Sequence, residues 1–383
     1  MRKILIICVL FVLLSMSFIS CSKKSPSESE QEPIPAEKLQ GALDNGLKTY
    51  NGKGVSAAII MPNGETWVGV SGVSHGTTAI TSDMPFGTGS ITKNFTAATI
   101  LQLAEEGKLT LDDSLYEWLP TFPYVDSTIT IRQLLNHTSG LYDMVDHPDF
   151  WTTIFNNPSR IWTPAEMINT FNKEPVFPKG TDWHYSTTGY ALLLMIIQNI
   201  TSSEITAVYR DRFFTPLGLS NTFASMGDAL PGNTAHGWFD FESDGVYEDI
   251  FSWPRTAIAS GTGGEVFSSA EDLAKWARAL FYEKSVLSQA SLDQMLTFHS
   301  PCTGEEFFCS GYGLGVARFN PGLFNGLDVI GHTGDAIGYA AACLYLTEYN
   351  VSIGFLDNTH EGDAMNIIND LIGIIVDHLE HTT

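Results

Sequence analysis

The sequence predicts a mixed fold: an antiparallel sheet flanked by helices and built from both ends of the chain, with a mostly helical lobe inserted between. Three observations carry this. Strand-like runs lie near the start (Val55–Met61 and Thr66–Val73) and near the end (two apolar strands within Gly338–Leu356). Between them lies a run of short segments with helix-start signals. With 383 residues, 44% of them hydrophobic, the chain can bury a large core.

In chain order, Leu39, Leu43 and Leu47 share one face of a helix over about 36–50, which Gly52 and Gly54 interrupt. Pro62, Asn63 and Gly64 join the first two strands as a hairpin. Apolar residues from Ile91 to Glu106 fall at helical intervals, with Gly107 as the stop. Thr130 with Gln133, and Thr163 with Pro164 and Glu166, are capping boxes. Tyr190–Asn199 reads as a buried helix, and Ser269 with Asp272 caps a helix running through Leu280. Two strands turning near 348–350 and a terminal helix close the chain. The predicted division is a sheet lobe over about 39–85 and 255–383 with a helical lobe over about 86–254, and a small-molecule site is expected in the cleft between them.

Residues 1–20 read as a secretory signal: Arg2 and Lys3, an apolar run to Ile19, then small residues. The other reading, an uncleaved anchor, is disfavoured because spanning a bilayer takes roughly 20 apolar residues. Residues 21–38 are rich in Ser, Pro, Lys and Glu and read as a flexible tether. The formal charge of −23 argues against nucleic acid and anionic membrane surfaces as partners. Of the five cysteines, Cys302 and Cys309 are placed to close a short loop as a disulfide worth roughly 2–3 kcal/mol, and Cys343 reads as a small core residue.

The chemistry concentrates in Ser90-Ile91-Thr92-Lys93 at a helix start, preceded by Gly87-Thr88-Gly89. A spacing of three puts hydroxyl and amine on one helical face, so Lys93 can take the serine proton if its own pKa is lowered. Backbone N–H groups of the helix start favour a developing oxyanion. The pattern alone is weak, since Ser20-Cys21-Ser22-Lys23 repeats it. Its context adds weight: Tyr185-Ser186-Thr187 follows Phe177-Pro178-Lys179-Gly180, and His332-Thr333-Gly334-Asp335 precedes the last strand pair. No G-x-S-x-G elbow, H-E-x-x-H or G-x-x-x-x-G-K-[ST] is present, and His236, His360 and His378 are scattered, so neither metal nor cofactor is expected.

From about residue 40 onward these ordered motifs, with the phrase Ile129 to Leu141 (ITIRQLLNHTSGL) and Gly264–Ser269, resemble the penicillin-recognising serine hydrolases: class C β-lactamases, D-alanyl-D-alanine peptidases and related esterases. The resemblance implies a β-lactamase/transpeptidase-like fold, an acyl-enzyme at Ser90, and proton transfer shared by Lys93 and Tyr185. It also implies an oxyanion hole from the amides of Ser90 and Asp335. His332 stands where the family often has lysine; as an exposed imidazole with pKa near 6.5 it would pull weakly and pH-dependently on a substrate carboxylate. Thr333 and Gly334 would line the substrate. Thr187 stands where peptidases and β-lactamases usually carry Asn, which favours esters, and Asn136 and His137 read as structural. The expected function is a D-alanyl-D-alanine carboxypeptidase-like peptidase of the cell envelope, with an esterase or β-lactamase, or a non-catalytic binding protein, as alternatives. The signal also resembles a lipoprotein signal, with Phe18 departing from the usual leucine, which implies a monomer tethered by lipid at Cys21 and acting on a small-molecule or peptide acyl substrate.

Overall fold

The computed structural model describes residues 33–157, 160–224, 228–252, 266–299, 302, 309–359 and 364–382. The predicted signal, the Cys21 site and Gly261–Gly264 lie outside them. The Ile34 N–H donates to Glu65 Oε1 at 3.1 Å, and helix α1 (Ala36–Thr49) includes the last residues of the expected tether.

The main sheet is antiparallel and eight-stranded, in the order β3-β2-β1-β13-β12-β11-β10-β9. Its members are β1 (Gly54–Ile60), β2 (Thr66–His75), β3 (Thr78–Ala79), β9 (Cys309–Tyr312), β10 (Ala317–Phe319), β11 (Val329–Ala336), β12 (Tyr339–Leu346) and β13 (Val351–Asp357). The two ends of the chain meet at its centre, with Val55 opposite Asp357 and Ile60 opposite Ser352. Small strands β4 (Phe86–Gly87), β8 (Val266–Ser268) and β5 (Phe223–Ala224) form a second sheet, and β6 (Trp238–Phe239) pairs with β7 (Glu248–Asp249). The sequence reading did not anticipate β9 and β10, nor β5, β6 and β7 inside the segment it took as helical. All are short, and strands of two to four residues carry too little alternation to read.

Among the described residues the remaining helices are α2 (Thr92–Glu105), α3 (Ile131–Leu135), α4 (Phe150–Asn156), α5 (Pro164–Phe171), α6 (Thr187–Thr201), α7 (Ile205–Tyr209), α8 (Ala270–Ala277), α9 (Gln289–Met295) and α10 (Ala364–Thr382). Strand alternation sorts the sheet into two faces. Val55, Ala57, Ile59, Ile353 and Phe355 pack with Leu39 and Leu43 of α1 and Leu371 and Ile375 of α10. On the other face Ala58, Ile60, Ala341, Cys343 and Tyr345 pack with Phe95 of α2, Trp276 of α8 and the helices that follow α2. Residues Ile34–His381 form one compact unit.

Local signals account for the boundaries. Thr130 accepts from the Gln133 N–H while Gln133 Oε1 accepts from the Thr130 N–H at 3.0 Å; Thr163 and Glu166 repeat the arrangement, with Pro164 in the first turn. Ser269 Oγ accepts from the Asp272 N–H at 3.3 Å; Leu280 lies in a π-turn (Arg278–Tyr282) that continues α8. Cys302 and Cys309 are disulfide-bonded, and Cys343 is buried with its thiol donating to the Leu273 carbonyl at 3.4 Å.

Asp357 closes β13 with its carboxyl buried, and burial pushes its pKa up to about 7, opposed by hydrogen bonds from Thr359. An unfolded aspartate titrates near 4, so the folded state holds the proton more tightly; this advantage is complete below about pH 4 and is lost as pH rises through about 7. Asp357→Asn should therefore flatten the decline of stability across that window. Urea midpoints at half-unit steps from pH 4 to 8 check this, and parallel curves for the two proteins would refute it.

Candidate active site

Ser90 sits in a 3-10 turn (Gly89–Ile91) that runs directly into α2. The turn is anchored to β8: Thr88 N–H and Oγ1 both donate to the Val266 carbonyl, at 3.0 and 2.7 Å, and the Val266 N–H donates to Thr92 Oγ1 at 3.0 Å. The helix behind it is buried all round from Thr92 to Leu101, as a central core helix must be. Phe95 stacks on Trp276 with centroids 4.1 Å apart; Asn94 accepts from Trp276 Nε1 at 3.2 Å and donates to the Gly315 carbonyl. Ser90 is thus half-exposed on a rigid support. Lys93 Nζ lies 3.1 Å from Ser90 Oγ, within hydrogen-bonding distance; the residue is 5% exposed, and its nitrogen lies 4.8 Å from the Tyr185 ring centre and 5.5 Å from that of Tyr190. The spacing of three does what the sequence required of it.

Strand β11 passes against this turn, and two glycines permit it. Gly89 has φ +51°, and a β-carbon there would meet the Asp335 backbone nitrogen at 2.8 Å. A β-carbon on Gly334 would fall 2.9 Å from the Ser90 nitrogen and closer still to the Thr88 carbonyl. Contacts this short are sterically forbidden. The amide nitrogens of Ser90 and Asp335 are thereby brought onto facing backbones, the arrangement an oxyanion hole needs. The Asp335 side chain is exposed and Thr333 is half-buried.

Tyr185 comes from the segment leading into α6. Its ring is half-buried but its hydroxyl is enclosed and interacts with Ser90; burial holds its pKa well above 10, against the effect of that hydrogen bond. It is therefore a phenol at neutral pH, able to relay or donate a proton but not to serve as the resting base.

The segment 184–188 is held by 137–144 almost residue by residue. The His184 N–H donates to the His137 carbonyl at 3.0 Å, the Ser186 N–H to His137 Nδ1 at 3.1 Å, and the Thr187 N–H to Asp143 Oδ2 at 3.0 Å. Ser186 Oγ and Thr188 Oγ1 both donate to the Tyr142 carbonyl, and the Met144 N–H donates to Thr188 Oγ1 at 3.0 Å. Asp143 escaped the sequence reading. It is buried, and desolvation, opposed chiefly by the Thr187 hydrogen bond, raises its pKa to about 6. The sequence signal that could have found it is an acidic residue inside an otherwise apolar stretch, Leu141 to Val145.

His332 departs from expectation. It is 1% exposed rather than exposed, and desolvation pushes its pKa down to about 3, partly opposed by its bond to the Thr333 carbonyl. Since that carbonyl can only accept, Nδ1 carries the proton and Nε2 accepts from the Tyr312 hydroxyl at 2.8 Å. A neutral buried ring offers no pH-dependent pull on a carboxylate. It packs behind the site, with its ring 6.4 Å from that of Tyr185. The alternation of β11 decides this: His332 is buried while Thr333 is the more open neighbour. Thr187 opens α6 and is 5% exposed.

A serine at a buried helix start, bonded to a lysine one turn on, facing an enclosed phenol and a strand edge, defines a serine hydrolase of the acyl-transfer kind. The chain belongs to the Beta-lactamase family, whose model matches residues 39–376. It is 28% identical over 340 residues to penicillin-binding protein 4 of Amycolatopsis lactamdurans, covering 85% of this chain and 86% of that one. It is also 28% identical over 287 residues to penicillin-binding protein 4* of Bacillus subtilis (strain 168), covering 71% of this chain and 60% of the relative. Among solved structures it resembles a D-stereospecific amidohydrolase from Streptomyces sp. (TM-score 0.75, 28% identity, 87% of this chain and 97% of that one). It likewise resembles a D-amino acid amidase from Ochrobactrum anthropi SV3 (TM-score 0.77, 25% identity, 89% and 98%).

Two outcomes follow from the geometry. Gly89→Ala should lower kcat on the order of 100-fold by separating the two amides, measured by turnover of an ester substrate; a rate near wild type would remove the close approach from the mechanism. The His332 ring resonances should stay constant in an NMR titration from pH 8 to 4.5, whereas a midpoint near 6.5 would contradict its burial.

Proposed function

We propose that the chain hydrolyses amides of D-amino acids and D-alanyl peptides through an acyl-enzyme at Ser90. The observation that carries the reading is the 3.1 Å bond from Lys93 to Ser90 beneath the facing Ser90 and Asp335 backbones; the resemblance to D-specific amidohydrolases supports the acyl group. Ser90 Oγ adds to the carbonyl carbon, and its proton passes to an unprotonated Lys93 Nζ. The oxyanion is met by the Ser90 and Asp335 amides. Collapse breaks the C–N bond while Tyr185 gives its proton to the leaving nitrogen and is reprotonated from Lys93. Water then repeats the sequence on the ester, freeing the acid and Ser90.

Charge narrows the substrate. With His332 buried and neutral, that family position supplies no cation, and exposed Asp335 adds a negative charge beside the site. A terminal carboxylate about 6 Å from it would be opposed by roughly 1–3 kcal/mol at an effective dielectric between water and a protein surface. This favours amides, and substrates with a free ammonium, over carboxypeptidase substrates. The ester reading rests on Thr187, whose short side chain replaces an amide. Export and a lipid anchor at Cys21, with action in the cell envelope as a monomer, remain part of the proposal.

The test compares kcat/KM for D-alanine p-nitroanilide, D-alanyl-D-alanine and a short-chain p-nitrophenyl ester, with Ser90→Ala as the blank. The anilide should exceed the dipeptide at least tenfold, and Asp335→Asn should raise the dipeptide value several-fold. Equal rates on anilide and dipeptide, with no effect of Asp335→Asn, would overturn the charge argument; turnover of the ester alone would assign the site to esters.

A further inference from the structure

His137 has three separate holds on the Tyr185 segment. Its carbonyl accepts from the His184 N–H at 3.0 Å, its Nδ1 accepts from the Ser186 N–H at 3.1 Å, and its ring lies against the Tyr185 ring with centroids 4.3 Å apart. The residues just before and just after Tyr185 are thus tied to one side chain and its own backbone, and the ring between them is backed by that same side chain. Behind the imidazole stand Tyr312 at 4.7 Å and Tyr190 at 5.2 Å, so it has no room to swing.

The position is an uncomfortable one, which argues that more than filling is at stake. His137 has φ +63°, the left-handed region that Asn, Asp and His enter most readily among residues with a side chain. Its ring is fully enclosed, and among the described residues its Nε2 is a buried nitrogen with no hydrogen-bond partner. Accepting from Ser186 through Nδ1 puts the ring proton on that Nε2. A leucine would fill the space without leaving a buried donor unpaired, but it would supply no acceptor for the Ser186 N–H and would suit the backbone angle less well. Desolvation first, then the Lys93 charge, holds its pKa well below the usual value, so the acceptor persists at neutral pH.

We propose that His137 is a positioning residue for Tyr185: as a neutral ring with Nδ1 unprotonated it fixes the phenol hydroxyl opposite Ser90, and so acts on proton transfer without touching the substrate. This rests on the serine-hydrolase chemistry of the site and not on the D-amino-acid substrate class.

The experiment measures Ser90 acylation by p-nitrophenyl acetate in His137→Leu, His137→Asn, Tyr185→Phe and the double variant His137→Leu/Tyr185→Phe. Loss of the acceptor should slow acylation about 10–100-fold, as small misplacements of catalytic groups do, with KM within about threefold. Asn, which keeps an acceptor and tolerates the backbone angle, should recover most of the rate. The double variant should be no slower than Tyr185→Phe alone, because one loss contains the other. Losses that multiply, or an Asn variant as slow as Leu, would overturn the proposal. Should the Leu variant not fold, nitrogen-15 shifts of the wild-type ring decide: an unprotonated Nδ1 and protonated Nε2 from pH 5 to 9 are expected, and a protonated Nδ1 refutes it. Failure of the anilide assay above would leave this result untouched, since the acetate ester carries no D-amino acid.

Discussion

The site depends on how closely two backbones approach. β11 runs past the turn that carries Ser90 at a separation only two residues without side chains allow, Gly89 on one side and Gly334 on the other. The nucleophile turn is fastened from behind to β8 through Thr88 and Thr92, and β11 is fastened to β12 over its whole length, from Val329 opposite Leu346 to Ala336 opposite Tyr339. Each backbone is thus positioned by its own ladder, and the gap between them is set by the difference.

The second constraint is burial around Lys93. The amine lies among Tyr185, Tyr190 and Ser90, and the surrounding polar groups are kept uncharged by the same enclosure: His137 and His332 are pushed toward neutral imidazole, Tyr185 and Tyr312 toward neutral phenol. A low-dielectric setting makes each remaining interaction stronger. The stretch from His137 to Met144 serves as the template on which the Tyr185 segment is laid.

Much of this was legible in order but not in depth. The capping boxes at Thr130 and Thr163, the Ser269 cap, the strands at both ends and the Ser90–Lys93 pair rest on local spacing, and the structure places each where that spacing puts it. His332 was misread because a histidine in a three-residue motif carries no mark of which face of its strand it occupies. Asp143 was missed because its partner, the Thr187 amide, lies 44 residues on, and a backbone donor leaves no trace in a sequence. The short strands β9 and β10 were missed because their pairing, not their composition, makes them strands.

The sequence by itself determined which residues can do chemistry and in what order they come, since hydroxyl, amine and phenol are properties of side chains and helical spacing is local. Only the tertiary structure decided protonation and placement: which histidines are enclosed, that the Asp335 side chain is exposed beside the Ser90 turn, and what stands behind Tyr185. Those depend on desolvation and on contacts between segments far apart in the chain, and neither is written in the identity of a residue or its neighbours.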